Sequence, residues 1–411
     1  MELTATKYKE TEVGLIPKDW NLVSFDKVFT FHSTSNYSKA EMSDDDEVGC
    51  IHYGLIHAIP NTQYNLKNGT KYYVSSDQAK YDIVRDGDVI MVDASEDEEG
   101  VNKSVEVCGV GNKKYISGLH TYLLRDKNGA LADNFRGILL NSQLVKNQMY
   151  QLAVGMKVFG VSKTQLKKVK LPLPPTLTEQ KTIAQVLSDM DALIQALEKK
   201  IAKKKLIKKG VMHKLLTQKE DWEVKTLSEV GELITGGTPP TTIQSYWDGK
   251  IPWITPTDIR AEKNINSSER EITKEGLSVI RKLPPDTLLV TCIASIGKNA
   301  ILRKAGACNQ QINAIVPDES NSVDFLYYLI ENNASYIKGK AGITATLIIS
   351  KKDFSEITFA FPKNKIEQNQ ISQILSDIDL ELELLKQKLS KYQLTKRGMM
   401  QQLLTGKIRL V

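Results

Sequence analysis

At 411 residues the chain is too long for one ordinary core, and at about 100–200 residues per domain it divides into two or three. Its 41% apolar and 25% charged residues exclude a disordered chain, no run of about 18 apolar residues offers a membrane span, and the polar start Met1 to Glu10 is no secretory leader. The net charge of +6 hides a segregated field: Glu198 to Lys219 holds nine lysines against one glutamate, and Lys386 to Val411 holds seven basic residues and no acidic one.

In chain order, Gly14-Leu15-Ile16-Pro17-Lys18-Asp19-Trp20 comes first, followed by an acidic cluster of Glu41, Asp44, Asp45, Asp46 and Glu47. Asp88 to Asp93 and Tyr122 to Leu124 read as strands, and Phe135 to Leu152 as helix. Between them Lys103, Lys113, Lys114 and His120 lie in loop-like, glycine-flanked stretches, either as solvated surface groups or as phosphate contacts. Val169 to Leu173 reads as a further strand. Pro172, Pro174 and Pro175 then punctuate the start of a long helix.

That helix is one half of an internal repeat. Glu179 to Lys219 superposes on Glu367 to Lys407 at an offset of 188 without a gap, with 19 of 41 positions identical. Ile183, Leu187, Met190, Ile194, Leu197 and Ile201 step by four and three, and so do Ile371, Leu375, Ile378, Leu382, Leu385 and Leu389. This heptad seam is too narrow to stand alone, and each copy is the other's natural partner. The return of the chain after each variable region predicts an antiparallel pair of helices, each about 58 Å long. Gly210 and Gly398, at matching positions, mark a candidate bend.

A weaker match at an offset of 202 sets Asp19-Trp20 over Asp221-Trp222. The second variable region then repeats the layout: Thr235-Gly-Gly-Thr-Pro-Pro240 as a turn, Tyr246-Trp247 and Ile251-Pro252-Trp253 as a loop pinned by two tryptophans, Thr287 to Ile293 and Asn313 to Val316 as strands, Phe325 to Lys338 as helix, and Ile357 to Phe361 as the last strand. Thr238, Thr255 and Lys298 are candidate ligand contacts. Asn309-Gln310-Gln311 read either as base-reading amides or as strand-end structure. The lysine-rich helix ends likewise read as a solvated face or as attraction to phosphates or an acidic partner.

Catalytic chemistry is not visible. Pro284-Pro285 and Pro174-Pro175 lack the aromatic or cysteine of a base-methylating motif, and Ser295-Ile-Gly-Lys-Asn299 lacks two features of a nucleotide loop. His52 and His57 read as structural or surface histidines. Cys50, Cys108, Cys292 and Cys308 are scattered, without a CxxC pair, which predicts no zinc site and a reducing, cytoplasmic setting. No metal and no cofactor are expected.

In order and in duplicate, these motifs resemble the specificity (S) subunit of type I restriction-modification systems over essentially the whole chain. The resemblance rests on Gly14 to Trp20, the Thr235 to Trp253 block and the twin Glu-Gln-x-x-Ile starts at Glu179 and Glu367. It implies a mixed α/β chain with a pseudo-two-fold repeat: a target-recognition domain at 1–174, a spacer helix at 175–219, a second recognition domain at 220–362 and a second spacer helix at 363–411. It further implies double-stranded DNA as ligand, two copies of a methyltransferase (M) subunit carrying the S-adenosylmethionine chemistry, and restriction (R) subunits reached through the assembled complex. A self-contained modifying enzyme and a coiled-coil scaffold without a DNA role are the rival readings.

Overall fold

A computed structural model describes residues 7–95, 100, 102–153, 159–260, 262–342 and 347–410. The chain forms two compact units, Met1–Glu198 with Gln387–Val411, and Lys199–Lys386. Each contains the same frame.

In the first unit a five-stranded sheet runs in the order Phe29–His32, Thr121–Asp126, Val89–Val92, Ser104–Cys108, Gln63–Asn65. In the second the order is Gly231–Thr235, Ile312–Pro317, Thr287–Thr291, Asn299–Leu302, Asn264–Ile265. In both, every pairing is antiparallel except the last, which is parallel. The central strands are apolar on both faces because both faces are covered. Val89 and Met91 pack with the helical layer around Phe135, Ile138 and Val145. Ile90 and Val92 pack the other way, against Ile51, Ile56 and Tyr115. Leu288 and Val290 face Phe325 and Leu329, while Leu289 faces Ile254 and Ile259.

A second, three-stranded sheet completes each frame: Lys114–Ser117, Val48–Ile51 and Tyr73–Val74 in one unit, Ala307–Cys308, Trp247–Ile254 and Glu271–Ile272 in the other. The tryptophan segment, expected as a loop, is therefore a strand. Trp247 and Trp253 meet edge to face at 5.1 Å, and their indole N–H groups donate to the carbonyls of Pro240 and Gly237. Lys114 also begins a strand instead of lying in a loop.

Each expected helix of the recognition regions is broken once. Phe135–Leu140 is followed by Gln143–Leu152, and Val323–Asn332 by Ala334–Gly339. At the first break the Asn141 amide donates to the carbonyl of Gly137 four residues back, and at the second Asn333 donates to that of Leu329. Asparagine competing for these carbonyls ends the helix in both places. The extra length of the first half is distributed: Asn21 pairs as Glu223 does at an offset of 202, Thr121 corresponds to Ile312 at 191, and Lys170 to Thr358 at 188.

The long helices are Leu177–Leu216 and Lys365–Leu403, continuous through Gly210 and Gly398. Thr176 and Asn364, at equivalent positions, cap them by accepting from the backbone N–H of Glu179 and Glu367 at 3.2 and 2.9 Å. Among the described residues no helix is long and apolar enough to cross a membrane.

Within each unit the start of one helix runs antiparallel to the end of the other. Lys396 pairs with Asp191 and Arg409 with Glu179 in the first; Lys204 pairs with Glu381, Lys208 with Asp379 and Lys219 with Glu367 in the second. Asp191–Lys396 and Asp379–Lys208 are one ion pair occurring twice. Charge dictates this direction. Each helix has an acidic first half and a basic second half, so only an antiparallel arrangement sets unlike charges together. Of the twelve seam residues, Ile183, Leu187, Ile194, Ile201, Ile371, Leu375, Leu382 and Leu385 are buried, while Met190, Leu197, Ile378 and Leu389 are half-buried. The seam does two jobs. Its first residues, Ile183 with Leu187 and Ile371 with Leu375, dock each helix onto the core of its own unit.

The Glu-Gln motif is a joint. The buried Gln180 accepts from the backbone N–H of Ala132 at 2.9 Å and donates to the carbonyl of Pro174; Gln368 accepts from that of Ser322 at 2.8 Å and donates to the carbonyl of Pro362. One amide thus ties each long helix to the domain before it.

Candidate nucleic-acid interface

The strand registers make the two units comparable residue by residue. Asp93 N–H donates to the carbonyl of His120, and Cys292 N–H donates to that of Gln311. Val92 N–H donates to the carbonyl of Lys103, and Thr291 N–H to that of Lys298. Gly118 N–H reaches the Ile51 carbonyl as Asn309 N–H reaches that of Ile254. Candidate residues from the two halves therefore occupy common positions, His120 with Gln311 and Lys103 with Lys298, while Thr255 stands at the position of His52. They sit where the ends of both sheets of a unit converge, a rim of loops over a rigid base.

In the second unit the rim is a network of amides and hydroxyls. Buried Asn309 accepts from the Gln311 backbone N–H and donates to the Gln311 side-chain carbonyl, each at 3.1 Å. Thr238 donates to exposed Gln310 at 2.7 Å. Thr255 donates to Asp258 at 2.7 Å, and its hydroxyl lies 2.7 Å from that of Thr257. Asn309 thus orients its neighbour and is itself turned inward. Gly236 crosses so close that a Cβ there would lie 2.2 Å from the Asn309 carbonyl oxygen, so glycine is required at that point of the turn. Lys298 is exposed beside the rim.

In the first unit the rim is aromatic and ionic. His120, in a left-handed conformation with φ 56°, lies edge-on to Tyr53 and holds its Nδ1 3.3 Å from the Asp93 carboxylate. Burial raises the pKa of Asp93, with His120 and Lys163 opposing. His52 caps the helix Tyr53–Ala58 by accepting from Gly54 N–H, and burial, with Lys39 and His120 nearby, pushes its pKa down to about 4. The half-buried Lys103 turns inward, donating to the carbonyls of His57 and Ile59 at 2.8 and 2.6 Å at the helix C-terminus. Burial lowers its pKa. Exposed Lys113 and Lys114 sit at the start of Lys114–Ser117, the end of that strand away from His120. The structure thus groups His120 with Lys103 and sets Lys113 and Lys114 apart.

Asp93 and Tyr53 carry no signal of this site in the sequence, and His52 reads there only as a structural or surface histidine. What marks them is relational: Asp93 stands where the other unit has Cys292, which only strand register shows. The four cysteines are free thiols, three buried and Cys108 half-buried.

A duplicated mixed frame that presents two different rims, with charge-matched helices tied to each copy, is the architecture of a modular recognition protein. The family model described as "Type I restriction modification DNA specificity domain" matches residues 17–206 and 219–392, and the chain belongs to that family. It is a type I specificity subunit, a recognition component and not a catalytic one. The chain is 28% identical to the putative type I restriction enzyme MjaX specificity subunit of Methanocaldococcus jannaschii, over 98% of this chain and 97% of that protein. It is 34% identical to the MjaIX specificity subunit of the same organism, though that match spans only 39% of this chain and 38% of the relative. The S subunit structure from M. genitalium shares the fold at a TM-score of 0.58 and 16% identity, covering 97% of this chain and 99% of that one.

Proposed function

We propose that this chain reads an asymmetric, two-part sequence in double-stranded DNA, one part with each recognition region. In this reading the recognition domains are 1–174 and 220–362, and the spacer helices 175–219 and 363–411 fix the distance between the two parts near one turn of the duplex, roughly 34–36 Å. Two methyltransferase subunits dock on it and bring restriction and translocase subunits into the complex, in the cytoplasm. The reading is supported above all by one observation: the same frame occurs twice with different chemistry at equivalent rim positions, His120 against Gln311 and Asp93 against Cys292. Identical rims would suit a palindrome. In this scheme lysines such as Lys113, Lys114 and Lys298 contact phosphates, while Thr238, Thr255, Gln310 and Gln311 with His120 face bases. Asn309 and Lys103, whose side chains are engaged inside the protein, act by holding their neighbours.

The decisive experiment is the methylated motif in DNA from cells carrying this chain with its methyltransferase. Two unlike half-sites separated by a fixed gap are expected, and a palindromic or undivided motif overturns the reading. Inserting four residues near Ala196 and again near Leu384 lengthens the helices by about 6 Å. The half-sites should then stay the same while their gap grows by about one or two base pairs.

A further inference from the structure

Resting on that reading, we propose that Arg270, held against the indole of Trp247, reads a guanine in the half-site recognised by the second unit. Arg270 is the contacting group, Trp247 is a positioning residue, and the ligand is the O6/N7 edge of guanine in the major groove.

The arginine stands on a built platform. Its guanidinium carbon lies over the Trp247 ring, 3.8 Å from the centroid, and 5.5 Å from that of Trp253. Both indoles are buried, meet edge to face, and donate their N–H groups to the carbonyls of Pro240 and Gly237, so the platform is fixed. Arg270 itself is exposed. Among the described residues nothing accepts a hydrogen bond from its guanidinium or pairs with it, although Glu269 and Glu271 flank it in sequence. A guanidinium held by one face in this way keeps its planar fork of N–H donors for a ligand.

Strand register places Arg270 at the rim. Trp253 N–H donates to the carbonyl of Arg270 as Cys50 N–H donates to that of Tyr72, so Arg270 and Tyr72 occupy one position of the common frame. The Tyr72 ring lies 6.3 Å from that of His52, the counterpart of Thr255. In the second unit Asp258 ties the same edge to the rim, accepting from the backbone N–H groups of Thr255 and Glu269 at 2.8 Å each.

The frame is shared and the side chain differs, arginine in one unit and tyrosine in the other. That pattern suits a base contact, because phosphates are alike in every sequence and give the two halves no cause to differ. Guanine offers the matching acceptors: O6 and N7, side by side, take two N–H groups of one guanidinium. Lysine at this position keeps the charge but loses the fork.

The test uses the assembled methyltransferase complex and duplexes carrying each base pair at each position of the methylated motif. One position of the second half-site should hold a guanine that wild type prefers about tenfold or more over other bases. Arg270→Ala and Arg270→Lys should bring that preference close to one and leave every other position of both half-sites unchanged. Trp247→Phe should weaken it about threefold at that position alone, which a merely structural role would not do. Arg270 is exposed, so its variants keep the fold and carry the test even where Trp247→Phe does not. A second half-site without guanine on either strand overturns the proposal. So does a loss in Arg270→Ala that is equal for all sequences and lowers the salt slope of binding by about one, the mark of a phosphate contact. If Gln311→Ala alters the second half-site while the Arg270 variants leave it unchanged, the role of Arg270 alone fails. If neither alters the motif, the reading of the rim fails with it.

Discussion

In the second unit the chain runs on from the helix end at Leu216 through Lys219 to Trp222, and Glu367 accepts from both Lys219 and the Trp222 indole. In the first unit the corresponding junction joins residues 390 positions apart in sequence, Asp19 and Arg409. Arg409 spans Asp19 and the buried Glu179 with four hydrogen bonds of 2.5–2.9 Å, Tyr8 donates to the Gly406 carbonyl, and the Trp20 indole N–H has no partner among the described residues. One joint is covalent with a loose lysine, the other non-covalent with a fork-shaped arginine. Where the backbone supplies no connection, geometry must, and a planar guanidinium bridging two carboxylates supplies more of it than an ammonium.

That contrast is most easily broken at Arg409. Arg409→Ala leaves Glu179 buried and unpaired, and should cost the first unit about 3–5 kcal/mol in denaturant unfolding followed by Trp20 fluorescence. Lys219→Ala, with its side chain half exposed, should cost about 1 kcal/mol or less in the second. Equal losses would refute the difference between the joints.

The seam offers a second contrast. Leu187→Ala should destabilise by about 2–5 kcal/mol, whereas Leu193→Ala, half exposed on the same helix, should fall within about 0.5 kcal/mol of the parent. The glutamine joints test the likeness of the units instead: Gln180→Ala and Gln368→Ala should each cost about 1–3 kcal/mol, since each strands a buried backbone N–H. A large inequality would show that the two joints are not equivalent.

The smallest effect is one of pH and belongs to the first unit. His52 has a pKa of about 4 when folded against an ordinary 6.5, so its neutral form is favoured by folding. Its contribution is fully present above about pH 6.5 and is lost progressively as pH falls toward about 4, because the unfolded chain takes up the proton first. Thermal unfolding of wild type and His52→Asn across that window should converge toward low pH.

The helices Leu177–Leu216 and Lys365–Leu403 were legible because a long helix writes its burial into a simple period. The seam residues and the duplicated start could be read from spacing, and the antiparallel direction from the return of the chain after each variable region. The recognition regions were legible only as strands and helices. Asn141 and Asn333 broke helices that their periodicity would have continued, and the tryptophan segment became a strand because Ala307–Cys308 and Glu271–Ile272 pair with it on either side. The lysines near the rim could not be sorted by sequence at all. Lys103 and Lys298 occupy one position, yet one ammonium caps a helix and the other lies exposed.

The sequence alone determined that the chain is duplicated, that its two halves carry different surfaces, and that two helices with matching seams pair antiparallel, because repeats, periods and the return of the chain can be read along it. Only the tertiary structure decided which side chains share a rim, that Asp93 stands behind His120 where Cys292 stands behind Gln311, and that Arg409 closes onto Asp19 and Glu179. Those facts depend on strand register and on contacts between residues hundreds of positions apart, which no local pattern encodes.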